Sequence, residues 1–290
     1  MVMITLGLLY IVAIGRPSTV QEIQKPASVD LDVLLIRSAE YCRKLESVIF
    51  YFVCLEEIEE IVDPTLEVLN PLDTVDNWRW VPPGHAFSAQ IMPLRKIRLS
   101  YVYDYQCIRA NRAIRETRTL LEENGKKKSV PNATLQTSVV VYGNALLAPV
   151  SLFGERYQAT FNYRIVDKSK IEGRPMLVIE AKPKQGGGKK NNLYGSAWVD
   201  PMTGDIWKIA WNESGVGNYD IFEKRGKRFM RRPRLTITTE FTAEKNGIRF
   251  PSRLFVEEAY VNDLGRALVR SITKIVYKEF KFFSVEVETR

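Results

Sequence analysis

Apolar residues recur along residues 30–48 at the spacing of a helix. In "DLDVLLIRSAEYCRKLESV" the residues Leu31, Leu34, Leu35, Ala39, Cys42 and Leu45 fall on one face, and Asp30 stands where an N-cap belongs. The period then changes. "VIFYFVCLEEIEEIV" is β-branched and aromatic before it gathers glutamates, and predicts a long strand. "RKIRLSYVYDYQCIR" alternates most cleanly. Ile97, Leu99, Tyr101, Tyr103, Tyr105 and Cys107 share one face, while Arg98, Ser100, Asp104 and Gln106 share the other with Val102. Further strand patterns follow in "RYQATFNYRIVD", "RPMLVIEAKP", "GSAWVD", "DIWKIAWN", "RLTITTEFTAE", "RFPSRLFVEEAYV" and "ALVRSITKIVYKEFKF". Turns such as "KIEGR", "PKQGGGKKNN", "DPMTGD", "EKNG" and "NDLG" separate them.

Only residues 130–153 break the rhythm, with mixed apolar content and a "PVSLFGER" segment that predicts one or two helical turns. Strands at short intervals without intervening helices predict an antiparallel sheet. The pattern therefore gives one long helix, a helical insert and roughly nine to eleven strands. Within "DIWKIAW", alternation places Trp207, Ile209 and Trp211 on one face and Ile206, Lys208 and Ala210 on the other. That aromatic face requires a cover: helices, a second sheet or a ligand.

Residues 1–15 are apolar up to Arg16, too short for a comfortable bilayer span and suited to a secretory signal. Ala13 and Gly15 supply the small residues of a cleavage site, although no basic segment precedes the run. A buried N-terminal strand is the alternative. No cysteine follows closely enough for lipidation. Residues 16–29, with two prolines among polar residues, read as a linker, and 30–290 as one domain. For an exported chain, Cys42–Cys54 is the natural disulfide, with Cys107 free; the competing reading makes all three small buried hydrophobes.

The 290 residues are 45% hydrophobic, an ordinary globular composition, but the net charge is +8. Such an excess favours anionic partners. It is densest in "EKRGKRFMRRPR", where Arg225, Lys227, Arg228, Arg231, Arg232 and Arg234 interleave with Phe229 and Met230. That mix suits an anionic membrane surface better than nucleic acid, and a solvated hairpin loop equally well. Chemistry is scarce. His85, the single histidine, lies in a proline-bearing loop, which disfavours a nucleophile–base pair, and the cysteines lack zinc-ligand spacing. On a strand Glu57 and Glu59 share one face and Glu56 and Glu60 the other; a charged exposed edge explains them as well as paired catalytic carboxylates do. "GGGKK" lacks the context of a phosphate-binding loop. No enzymatic activity, metal or cofactor is expected.

The order of these pieces resembles a known group. "EYCRKLESVIFYFVCLEE", "YVYDYQCIRANRAIRETRTLLEENGK" and "FNYRIVDKSKIEGRPMLVIEAKP" are followed by "LYGSAWVDPMTGDIWKIAWN" and "EKNGIRFPSRLFVEEAYV". Over roughly residues 30–290 the chain resembles the LolA-like outer-membrane lipoprotein-sorting proteins of the LolA/LolB carrier superfamily. "WVDPMTGDIWKI" and "NGIRFPSR" carry most of the likeness. The resemblance implies an unclosed antiparallel β-barrel of about eleven strands, lidded by helices over a hydrophobic cavity. It implies a periplasmic carrier of lipid or lipoprotein acyl chains; relatives of that fold act instead as envelope-stress sensors that signal to a partner protein. Alternation then makes Tyr101, Tyr103, Tyr105, Phe161, Tyr163, Trp207 and Trp211 the expected cavity lining, beneath the first helix and the 130–153 segment. The alternative is a filled core, in which the same residues pack against Leu34, Leu35 and Leu146 and leave no room.

Overall fold

Period-two alternation builds a single eleven-stranded sheet in the computed structural model, which describes residues 30–65, 95–110, 113–137, 145–184 and 193–283. The apolar N-terminal run, the 16–29 linker, His85 and the glycines of 186–188 lie outside the described residues. Four strands come from the first half of the chain: β1 (Phe52–Val62), β2 (Ile97–Ala110), β3 (Ala113–Glu123) and β4 (Lys126–Val130). The second half supplies β5 (Phe161–Ile171), β6 (Arg174–Pro183), β7 (Gly195–Val199), β8 (Ile206–Trp211) and β9 (Arg232–Glu240). A small separate ribbon, β10 (Ala243–Lys245) with β11 (Ile248–Phe250), precedes β12 (Arg253–Val261) and β13 (Ala267–Phe282).

The order across the sheet is β4-β3-β2-β1-β13-β12-β9-β8-β7-β6-β5, antiparallel throughout. The sheet is not closed into a barrel. Its two edges are polar: β4 reads Lys-Lys-Lys-Ser-Val and is exposed at every position, while β5 exposes Arg164, Asp167, Lys168 and Lys170. Charged edges of this kind resist pairing with a second chain.

One face is covered by helix α1 (Leu31–Val48), begun where the Asp30 side chain accepts from the Asp32 amide at 3.0 Å. Leu34, Ala39, Cys42 and Leu45 point into the protein as the helical period predicts, joined by Ser38 and Tyr41. A 3₁₀ turn at Ala145–Leu147 leads into α2 (Ala148–Phe153) and α3 (Glu155–Gln158), the helical turns expected in "PVSLFGER". Leu146, Val150, Leu152 and Phe153 bury completely or nearly so against α1 and the sheet.

The Pro-Met-Thr-Gly-Asp turn between β7 and β8 presses directly on α1. Gly204 has φ +77°, and a Cβ there would lie 2.5 Å from the Arg37 carbonyl carbon and 2.7 Å from the Ser38 amide. Only glycine satisfies both the left-handed backbone and the close approach. Gly204→Ala is expected to lower the thermal midpoint more than Gly247→Ala. Gly247 has φ +71° but open space around its missing Cβ, so its alanine variant incurs the backbone term alone, about 1–2 kcal/mol. Equal melting temperatures for the two variants would contradict this packing of α1.

Candidate functional site

The inner face of the sheet gathers side chains from both ends of the chain. Tyr101, Tyr103 and Tyr105 of β2, Phe161 of β5 and Trp211 of β8 all belong to one contiguous buried cluster, with Tyr163 packed against it. Leu34, Cys42 and Leu45 of α1 and Val150, Leu152 and Phe153 of α2 complete it. The ring centroids of Phe161 and Tyr163 are 6.1 Å apart, and those of Phe153 and Tyr163 5.6 Å, so α2 stacks on the β5 aromatics. The Tyr163 hydroxyl donates to the Leu152 carbonyl, tying the same two elements. Burial pushes this phenol well above its ordinary pKa. The Trp211 indole donates to Thr239 Oγ1 at 3.0 Å.

Trp207 departs from the expected arrangement. The β7–β8 register pairs Trp198 with Lys208 and Val199 with Ile206, leaving Trp207 as the extra residue of a β-bulge. The bulge shifts the phase of the strand, so Ile206, Ile209 and Trp211 enter the cluster and Trp207 does not. Trp207 is still buried, but the Arg249 guanidinium lies 3.5 Å from the centre of its ring. Alternation alone placed Ile206 on the opposite face; one inserted residue reverses that.

The cysteine expectation is also corrected. Cys42, Cys54 and Cys107 are buried free thiols. Cys42 precedes the end of α1 by six residues, about 9 Å of helix, and its surroundings include Glu46 and Tyr163. Cys54 sits directly across from Tyr105 on β2, with Cys107 among its neighbours. The two sulfurs thus face different parts of the interior. Burial raises the thiols of Cys42 and Cys54 far above the usual range and that of Cys107 to about 11, so none is a reactive thiolate at neutral pH.

The glutamates of β1 overturn a further expectation. This strand is not an exposed edge; it lies between β2 and β13. Glu56 and Glu60 share the inward parity of Phe52, Cys54, Ile58 and Val62 and are 0% and 1% exposed. Arg118 of β3 grips Glu56 with two bonds, Nε to Oε2 at 2.6 Å and Nη2 to Oε1 at 3.1 Å, and the Tyr277 hydroxyl donates to it at 3.0 Å. Thr273 donates to Glu60 at 3.1 Å. On β12 Glu258 is held by Arg270 at 2.7 Å, Ser271 at 3.2 Å, Arg225 at 3.2 Å and the Tyr260 hydroxyl. The interior therefore has two characters: apolar beneath the two helices, and a polar band along β1, β3, β12 and β13. The signal for this band was strand parity, since acidic residues in phase with apolar ones are inward by construction.

The basic segment is not a hairpin loop. Residues Asp220–Arg228 form helix α4, whose last turn carries Arg225, Lys227 and Arg228, followed by a turn into β9. Arg225 is committed to Glu258, and Arg234 to Glu257 at 3.0 Å. Arg231 and Arg232 remain beside the exposed Met230.

Two outcomes follow from the burial of charge and thiol. Arg118→Met strands the Glu56 carboxylate and is expected to cost about 3–5 kcal/mol in denaturant unfolding, with part of the loss recovered by adding Glu56→Gln. An Arg118→Met protein as stable as the parent would remove the paired charge from this account. Maleimide labelling read by intact mass is expected to add nothing to the native protein at neutral pH, and three adducts once it is unfolded; a single adduct after unfolding would mean a bridged pair.

No protein-family model matches the chain, and no curated protein matches it. Among solved structures it is similar to a DUF1329 family protein from Desulfovibrio piger at 10% identity and TM-score 0.38, covering 88% of this chain and 94% of that one. It is similar to a LolA superfamily protein from Nitrosomonas europaea at 12% identity and TM-score 0.35, covering 89% and 96%. A third, described as an outer membrane lipoprotein-sorting protein domain from Vibrio parahaemolyticus, shares 7% identity at TM-score 0.37, covering 88% and 95%. Superpositions this loose transfer neither a residue nor a ligand to this chain.

Proposed function

We propose that the protein is a periplasmic carrier that shelters the acyl chains of lipids or lipoproteins and performs no chemistry on them. The observation that carries this reading is the large contiguous apolar cluster shared by an open sheet and a helix laid across it. An acyl chain in water costs about 0.8 kcal/mol per CH₂, so a ~16-carbon tail needs roughly 12 kcal/mol of shelter. A concave apolar face with a removable cover can supply that.

The cover is α1. Its polar ties are few and separate: Arg37 Nη1 to the Pro201 carbonyl at 2.8 Å, the Tyr41 hydroxyl to the Arg249 carbonyl at 2.9 Å, and Gln158 Nε2 to the Leu35 carbonyl at 2.8 Å. Glu46 adds an exposed ion pair with Arg156 at 2.6 Å. Each contributes on the order of 1 kcal/mol net. What otherwise holds α1 is apolar contact with the inner face, which an acyl chain replaces in kind. Loading then consists of α1 swinging out and a tail taking its place over Phe161, Tyr163 and Trp211, while the polar band of Glu56, Glu60 and Glu258 keeps its own partners.

Saturable uptake of a fluorescent fatty acid, competed by unlabelled palmitate, tests the reading. Amide exchange along α1 should rise as the probe binds. Trp211→Phe keeps an apolar ring and should weaken uptake about threefold to tenfold, the order expected for ~1 kcal/mol of lost contact. A folded protein that takes up no acyl probe would refute the carrier.

A further inference from the structure

At one end of the sheet two turns lie side by side. Arg232 pairs with Val261 and Pro233 with Tyr260, so the turn entering β9 abuts the turn that leaves β12. Each carries an apolar side chain held out in solvent: Met230 is 83% exposed and Leu264 80%. Between them is a cleft of about 430 Å³ whose walls include Lys227, Met230, Arg231, Arg232, Glu223 and Asp263. Exposed Arg266 follows Leu264 in the second turn.

The backbone at Met230 is informative. Helix α4 ends with the Phe229 amide donating to the Arg225 carbonyl at 2.8 Å and the Arg231 amide to the Gly226 carbonyl at 2.9 Å. Met230 occupies the left-handed position of this cap at φ +51°, where glycine or asparagine suits the fold best. A flexible apolar side chain here is a poor choice for folding and is given wholly to the surface. The turn beneath it is stiff. A Cβ on Gly226 would meet the Arg231 carbonyl oxygen at 2.7 Å and Pro233 Cδ at 2.8 Å, and Phe229 stacks edge-on against Tyr260 at 4.9 Å.

The charge around the two tips is uncommitted. Among the described residues Lys227, Arg231, Arg232 and Arg266 form no ion pair, whereas Arg225 and Arg234 are neutralised by Glu258 and Glu257. Against those four cations stand the carboxylates Glu223 and Asp263.

We propose that the α4–β9 and β12–β13 turns together dock the protein on an anionic phospholipid membrane, Met230 and Leu264 entering the interface while Lys227, Arg231, Arg232 and Arg266 meet the headgroup phosphates. Basic side chains ringing apolar tips match such a surface, whose negative potential attracts each cation and whose acyl boundary accepts the tips. Nucleic acid would leave Met230 and Leu264 without a role. The inference deepens the carrier reading, because a carrier of acyl chains collects or delivers them at a bilayer, but it rests on different residues.

The test is co-sedimentation of the full chain with phosphatidylcholine vesicles, with and without about one-third phosphatidylglycerol. Binding to the anionic vesicles only, weakening as salt rises, is expected. Arg231→Glu with Arg232→Glu should reduce partitioning about tenfold or more. Met230→Asn with Leu264→Ser should also reduce it severalfold, although asparagine relieves the backbone strain and should leave the melting temperature unchanged or higher. Absence of binding to anionic vesicles, or equal binding by either variant, would overturn the proposal. Retained binding by the Met230/Leu264 variant, displaced by inorganic phosphate, would replace it with a soluble-anion site. Fatty-acid uptake separates this inference from the carrier: uptake without vesicle binding sinks the docking surface alone, and vesicle binding without uptake sinks the carrier alone.

Discussion

The pairing of β1 with β13 is the contact on which the rest of the architecture depends. β1 begins at Phe52 and β13 ends at Phe282, yet they run side by side from Phe52↔Phe282 to Val62↔Ser271. Without this join the sheet separates into a four-stranded piece from the first half of the chain and a seven-stranded piece from the second. The two pieces share one interior only because the join holds them edge to edge. Tyr105 on β2 then comes within 5.9 Å of the Tyr277 ring, and Glu56 reaches Arg118 on one side and Tyr277 on the other. Such long-range closure is entropically expensive.

The same join explains the polarity of the interior. Strands β1 and β13 are central, so an inward charge on them has no route to solvent and must be matched in place. Arg118, Tyr277 and Thr273 supply the match for Glu56 and Glu60, and Arg270 with Ser271 for Glu258. Apolar side chains could have filled this volume at similar stability. What the charges add is register: slipping β1 by one residue would place Glu56 and Glu60 on the other face and break both bonds from Arg118 to Glu56. The apolar half of the interior, toward β5–β8, carries no comparable lock and is held by contacts of low specificity.

Legibility in the sequence followed the reach of the interactions. Helix α1 and its Asp30 cap are set by residues within a few positions of each other, and the apolar period showed them. The β2 tyrosines, Phe161 and Tyr163 obey simple alternation and face inward as expected. Trp207 did not, because a bulge is one inserted residue whose presence depends on the partner strand. The β1 glutamates misled for a related reason: nothing local distinguishes a charged edge from a charged centre, and their partners lie about sixty and more than two hundred residues away. Cys42 and Cys54 were close in sequence, but the direction each points is fixed by the crossing of α1 over the sheet.

Rigidity and release are divided between the layers of this protein. The sheet is continuous, and buried charge pins the register of β1 against its neighbours, so it provides the fixed layer. The helix above it is bound by non-directional contact and by a few isolated polar ties, of which the Arg37 and Tyr41 bonds go to backbone carbonyls and leave no ionised partner behind when broken. Removing α1 costs mainly exposed apolar area, about 25 cal/mol per Å², and any ligand offering equal apolar area offsets it. Covering the same face with a helix bridged to Glu56 or Glu60 would have added the penalty of stranding a buried charge on every opening. Pairing the carboxylates within the sheet, away from α1, would let the proposed cover open without stranding a buried charge.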